Sequence, residues 1–275
     1  MPGRLTVCPT PIGNLDDLSP RVRDALAGAD LVACEDTRRV GRLYERLGIE
    51  PPRLVSNHDQ NEESRAPQIA QQIERGARVA LVTDAGTPTI SDPGYRLIRT
   101  CIDRDLELEV LPGPSAVTTA LVASGLPPDR WRFEGFLPRR AGELERVLRS
   151  AETVVAFESP RRLPESLSAL ASLAPDRPGA VCRELTKLHE EVARGTLGEL
   201  ARRFRGDVRG EVVVVIGAAT GPTSRDPDVT MAVDALRRLV QSGARPRAAA
   251  SVVAALTGTR PNELYRALTG REPRQ

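Results

Sequence analysis

"LVTDAGTPTISDPG", residues 81–94, joins a short apolar run to a polar loop that carries two glycines, two prolines and two aspartates. An apolar run that stops at such a turn reads as a buried strand ending in a ligand loop. Phosphate loops keep a Lys or a helix N-terminus beside their glycines. This one has no Lys, and the carboxylates of Asp84 and Asp92 repel phosphate but tolerate a cation.

Working outward, similar apolar runs recur at 5–8, 31–34, 106–111, 153–157, 180–182 and 212–216, beside 79–82 of the quoted stretch. Their weak polar alternation predicts strands buried on both faces. Helical patterns lie between them, at 20–27, 62–75, 115–124, 141–151, 161–173 and 196–204. Ser19 caps the first of these, with Pro20 at its first position. This alternation predicts an α/β fold with mainly parallel sheets. A turn-rich break at Ser124–Asp129 divides it into an N-terminal domain, 1–120, and a second α/β domain, 121–222. A further break, 217–228, precedes three short helical patterns at 229–240, 247–256 and 261–268. Residues 226–275 are therefore expected to form a helix-turn-helix-like module or a helical tail packed on the body.

Five Pro-, Gly- or charge-rich loops follow predicted strands: Pro9–Asn14, Glu35–Arg39, the quoted loop, Pro112–Ala116 and Glu158–Arg162. Open α/β sheets bind ligands at the carboxyl ends of their strands, so these loops are expected to line one crevice. Ser115 is placed to cap the helix after the fourth loop. Backbone groups, small side chains and the two aspartates suit a ligand with an adenine, a ribose and a cationic centre better than a triphosphate.

The bulk composition excludes much else. Of 39 basic residues, only Lys187 is a Lys, and no Walker A, G-x-G-x-x-G, H-E-x-x-H or G-x-S-x-G pattern occurs. Two histidines and four dispersed cysteines argue against a zinc site or a disulfide frame, so no metal is expected. No apolar run reaches membrane-spanning length and residues 1–14 lack a signal-peptide pattern, which predicts a cytoplasmic protein. Residues 1–200 carry 26 basic and 30 acidic side chains, whereas residues 201–275 carry 13 and 7. The basic end permits a polyanionic partner.

Seven motifs stand in one order: "TPIGNLDDLSPR" (10–21), "CEDTRR" (34–39), "TDAGTPTISDPG" (83–94), "LPGPSA" (111–116), "FEGFLPR" (133–139), "ESPRRL" (158–163) and "RELTKLHEE" (183–191). In that order they resemble the small-subunit ribosomal RNA methyltransferases of the tetrapyrrole-methylase-like group, over residues 4–222. The resemblance implies two α/β domains with S-adenosyl-L-methionine in the cleft between them, and a homodimer. It implies 2′-O-methylation of a cytidine in the decoding region of 16S rRNA, within the small ribosomal subunit. It places Asp84, Ala85, Gly86, Thr87, Pro88 and Ser91 at the cofactor, helped by Pro11, Ser115 and Ala116. Phe157 and Glu211 would close over it from the second domain.

A ribose hydroxyl is a poor nucleophile until it loses its proton, which makes Glu35, Asp36, Glu158 and Lys187 candidates for a catalytic base, with none assigned. Arg38, Arg39, Arg161, Arg162, Arg245 and Arg247 are candidates for holding RNA phosphates. Aromatic residues make up 3% of the chain, too few for a broad RNA-stacking platform. Two alternatives stay open: a precorrin-type tetrapyrrole methyltransferase, and a non-enzymatic RNA-binding module.

Overall fold

The computed structural model describes residues 3–219, 229–257 and 260–269. Two five-stranded sheets follow one another along the chain. The first comprises β1 (Arg4–Val7), β2 (Leu31–Cys34), β3 (Arg53–Ser56), β4 (Arg78–Val82) and β5 (Glu107–Val110), in the order β3-β2-β4-β1-β5. All its pairings are parallel. Helices α1 (Pro20–Ala27) and α2 (Thr37–Leu47) cover one face, and α3 (Glu62–Glu74) and α4 (Tyr95–Asp103) the other. Ser19 accepts a hydrogen bond from the Val22 amide and caps α1, as the Ser-Pro pair predicts.

The second sheet comprises β6 (Trp131–Phe136), β7 (Thr153–Glu158), β8 (Pro178–Arg183), β9 (Glu191–Thr196) and β10 (Val212–Ile216), in the order β6-β7-β10-β8-β9. Here the expectation of a mainly parallel sheet fails: only β6 and β7 run parallel, and the other pairings are antiparallel. The reason is local. No helix separates β8 from β9, so the loop 184–190 folds them into a hairpin, which must be antiparallel. Helices α6 (Ala141–Leu148), α7 (Leu163–Leu173) and α8 (Leu197–Arg203) build the core on one face.

The opposite face is covered by α5 (Ala116–Ser124), whose Val117, Ala120 and Leu121 pack among Val155, Ala180 and Val215. The helix therefore belongs with the second sheet. The turn at Ser124–Asp129 lies within that layer, and the chain crosses between sheets earlier, after Leu111.

The strands missing from the sequence reading are β3, β6 and β9, and each is an edge strand with exposed or half-exposed residues. Past the second sheet, α9 (Val229–Gln241), α10 (Pro246–Thr257) and α11 (Pro261–Thr269) pack on one another around Ala232, Leu236, Val253 and Leu264. Residues 220–228, 258–259 and 270–275, which include most of the expected break and both ends of the expected module, lie outside the described residues. Among the described residues no helix is long and apolar enough to cross a membrane.

Candidate functional site

The quoted loop leaves β4 and is laced to its neighbours by backbone bonds. Gly86 and Thr10 exchange both of their N–H···O bonds, each 2.9 Å, which ties the loop after β1 to the loop after β4. The Thr87 hydroxyl donates to the Pro114 carbonyl at 3.1 Å, which ties in the loop after β5. Gly113 lets that third loop approach: a Cβ there would sit 2.6 Å from Pro9 Cβ. Farther along, Thr89 and Ser91 have φ of +75° and +64°, a left-handed conformation that non-glycine residues adopt at a cost. The strained turn ends where the amides of Gly94 and Arg96 donate to the buried Glu62 carboxylate, at 2.9 and 2.8 Å.

A cavity of about 400 Å³ opens between these loops and the second sheet. Its first wall is made by Ile12, Ala85, Gly86, Thr87, Ile90, Ser91, Asp92, Ser115, Ala116 and Val117. Ser115 stands at the start of α5 without the expected side-chain cap bond, which leaves its hydroxyl to the cavity. Phe136, Phe157, Glu158, Gly210 and Glu211 belong to the opposite wall.

The structure brings Ala85, Gly86, Thr87, Ser91, Ser115, Ala116, Phe157 and Glu211 to this cavity, and leaves Pro11, Asp84 and Pro88 off its lining. Asp84 turns away from it and pairs with Arg39 at 3.0 Å. The second loop, Glu35–Arg39, lies beside the third and does not line the cavity. Asp92 is the loop carboxylate that does, and it has no ion-pair partner among the described residues. Burial, with Glu35 and Asp84 nearby, pushes its carboxyl up to about 7.

None of the four candidate bases is poised for proton transfer. Glu158 touches the cavity, but its carboxylate is held by the Ser159 amide at 2.6 Å, by the Ser166 hydroxyl and by Arg162 at 3.2 Å. Lys187 bridges Glu184 at 2.9 Å and Glu211 at 3.0 Å. Burial pulls the Lys187 ammonium down, but the bonds to these two carboxylates outweigh it and the net shift is upward, the wrong direction for a base. Asp36 caps α2 and is held down to about 2 by hydrogen bonds from Arg38. Glu35, raised by burial and then by Asp84, is off the cavity.

Of the phosphate-binding candidates, Arg38 and Arg39 lie on the first turn of α2, paired with Asp36 and Asp84. Arg162 points inward, to Glu158 and the Leu137 carbonyl. Arg161, Arg245 and Arg247 are exposed, with Arg247 over the Tyr265 ring. The residues that sequence reasoning missed at the cavity are apolar, Ile12, Ile90 and Phe136 above all. Ile12 and Ile90 lie inside recognised loops and Phe136 inside the motif 133–139, but no reactive group singled them out.

The two walls also touch outside the cavity. The Asn14 amide donates to the Thr186 hydroxyl at 3.0 Å, and a Cβ on Gly13 would lie 2.4 Å from Lys187 Cγ. Gly210, at φ +89°, is pressed against Glu184, 2.5 Å from where its Cβ would be.

A parallel sheet whose loops open onto a second, mixed sheet across such a cleft is the arrangement of the tetrapyrrole (corrin/porphyrin) methylases, whose family profile matches residues 4–201. These are S-adenosylmethionine-dependent methyltransferases. Within them, the chain belongs to the family that bears the name ribosomal RNA small subunit methyltransferase I. A protein so named from Mycobacterium tuberculosis (strain ATCC 25618 / H37Rv) is 46% identical over 97% of this chain and 94% of its own length. Another from Escherichia coli O157:H7 is 39% identical over 96% of this chain and 94% of its own. In fold, the chain is similar to the crystal structure of uroporphyrin-III C-methyl transferase from Thermus thermophilus complexed with S-adenyl homocysteine. The TM-score is 0.54, with 21% identity over 78% of this chain and 97% of that one.

Proposed function

We propose that the chain transfers the methyl group of S-adenosylmethionine to the 2′-hydroxyl of a cytidine in the decoding region of 16S rRNA. It would act on the small ribosomal subunit, in the cytoplasm, as a homodimer. The names of its relatives support the RNA substrate. The observation that carries the cofactor is the cavity itself: small side chains, backbone and the unpaired carboxylate of Asp92 on one wall, and the Phe157 ring on the other. That set fits a ligand with a flat base and a positive centre, and would repel a polyphosphate.

Bound there, S-adenosylmethionine supplies a methyl group on a positively charged sulfur. Ala85 and Thr87 then present backbone to the cofactor, Gly86 the room for its approach, Ser115 a hydroxyl, and Asp92 a counter-charge. Apolar groups of Ile12, Ile90 and Phe157 exclude water. Holding the hydroxyl in line with the methyl group is the main task left to the protein, and effective molarities make roughly 7–11 kcal/mol available to it. Because Glu158 and Lys187 are held by other side chains, proton removal does not fall to them.

The test is mass-spectrometric mapping of 2′-O-methyl groups on 16S rRNA from cells with and without this chain, repeated with purified small subunits. One methylated cytidine that depends on the chain is expected. Methyl transfer to a tetrapyrrole and to no RNA would overturn the reading.

A further inference from the structure

Three of the four phenylalanines of this aromatic-poor chain cluster together, and two of them, Phe136 and Phe157, line the cavity. Phe133 and Phe157 stand edge to face with centroids 5.0 Å apart, and Phe136 and Phe157 likewise at 5.7 Å. Phe157 is half-buried behind the rim. Phe136 is on the rim, lines the cavity and is 56% exposed. Its exposure is built into the strand. The register of β6 against β7 slips between Phe133 and Phe136, and Gly135 takes φ +71° within the slip. Bulges of this kind re-aim a side chain beside a site. The backbone past the ring is then fixed, because the Leu137 amide donates to the Phe157 carbonyl at 2.9 Å and Arg162 donates to the Leu137 carbonyl.

Charge stands beside the ring. Arg139 follows the C-terminal end of β6 and Arg161 that of β7, and these strands are parallel neighbours. Both arginines are exposed, and neither has an acidic partner among the described residues. A fixed, solvent-facing aromatic ring flanked by unpaired arginines is what an unstacked nucleotide needs, with base on ring and phosphate on guanidinium.

We infer that Phe136 is the platform on which the base of the acceptor nucleotide stacks, with Arg139 and Arg161 holding the flanking phosphates. The inference rests on the proposed RNA substrate. It concerns one base, which a chain so poor in aromatics can still serve. The adenine of the cofactor is the competing occupant, and the position of Phe136 on the rim, outside Phe157, favours the substrate.

Phe136→Ala, Phe136→Leu and Phe136→Tyr are compared with the unaltered protein. The measurements are melting temperature, mass in solution, calorimetric S-adenosylmethionine affinity, and kcat and KM on small subunits lacking the methyl group. Ala and Leu should lower kcat/KM about five- to hundredfold, the range that base–aromatic stacking supports, while Tyr stays within about twofold. Cofactor affinity and mass should not move, and melting temperature should fall only slightly, since the ring is mostly exposed and its one aromatic contact is with Phe157. Three results would overturn the inference: Leu matching Phe, a weakened cofactor in the Ala variant, or a change of mass that makes Phe136 an interface residue. If the unaltered protein left 16S rRNA unmethylated, the proposed function would fall and this inference with it. If the Ala variant matched the active unaltered protein, only the stacking would fall.

Discussion

The two walls of the cleft are held in place by different means. On the first wall, hydrogen bonds to backbone groups do the holding: the Thr10–Gly86 pair, the Thr87 hydroxyl on the Pro114 carbonyl, and the Gly94 and Arg96 amides on the Glu62 carboxylate. On the second wall, charged side chains do it: Glu158 with Arg162 and Ser166, and Lys187 with Glu184 and Glu211. A wall held by its backbone leaves side chains free for a ligand, as Ser115 and Asp92 are. A wall held by ion pairs has already used the groups that look reactive. The charged residues of "ESPRRL" and "RELTKLHEE" are therefore mostly structural, and the plainer residues of "TDAGTPTISDPG" face the cavity.

The sharpest way to break this contrast is at Glu158. Its side chain is fully buried, and Glu158→Ala would leave Arg162 without its carboxylate and two donors unanswered. Losing one partner of a buried pair costs about 3–5 kcal/mol. The variant should show that loss in denaturant unfolding, while whatever remains folded binds cofactor with near-normal affinity. A stable variant that no longer binds would put Glu158 among the ligand groups instead.

Gly86 tests the first wall. It has φ +78°, and a Cβ there would meet nothing nearer than Ile12 Cγ2 at 3.5 Å, so the conformation, more than crowding, demands glycine. Gly86→Val should cost about 1–3 kcal/mol of strain and distort the bridge to Thr10. Cofactor affinity should fall at least about tenfold, equivalent to roughly 1.4 kcal/mol, with the variant still folded. Unchanged affinity by calorimetry would remove the loop from the binding site.

What was legible in the sequence follows the same physical line. Strands buried on both faces, such as β2, β4 and β10, announce themselves as unbroken apolar runs. Edge strands β3, β6 and β9 do not, because solvent takes one side of them. Helices α2 and α4 are absent from the sequence reading, although Val40, Leu43, Tyr44 and Leu47 in one and Leu97 and Cys101 in the other keep helical spacing into the core. Four of the five expected loops line the cavity, and they were legible because Gly- and Pro-rich turns recur at successive strand ends. Which aspartate faces the cavity was not: that depends on Arg39 reaching Asp84 across the sheet top, a contact between segments far apart in sequence.

That last point gives the finest test. Asp92 has its carboxyl raised to about 7, first by burial and then by Glu35. A carboxyl higher in the folded than in the unfolded chain holds its proton better when folded. Its contribution to stability is therefore complete below the ordinary carboxylate range, near 3.8, and is lost as pH rises through about 7. Affinity for a cationic ligand must run the other way, because only the ionised carboxylate attracts it. The free protein should lose stability between about pH 4 and pH 7 from this group, while its affinity for S-adenosylmethionine rises over the upper part of that interval. Asp92→Asn removes the charge and keeps the shape. It should flatten both trends, and at pH 8 bind the cofactor up to about tenfold more weakly than the unaltered protein, with little difference at pH 6. Melting temperature and calorimetry across pH 5–8 read both slopes at once. If the Asn variant kept the rise in affinity, the counter-charge would lie elsewhere, and the first wall would hold the cofactor by shape and backbone alone.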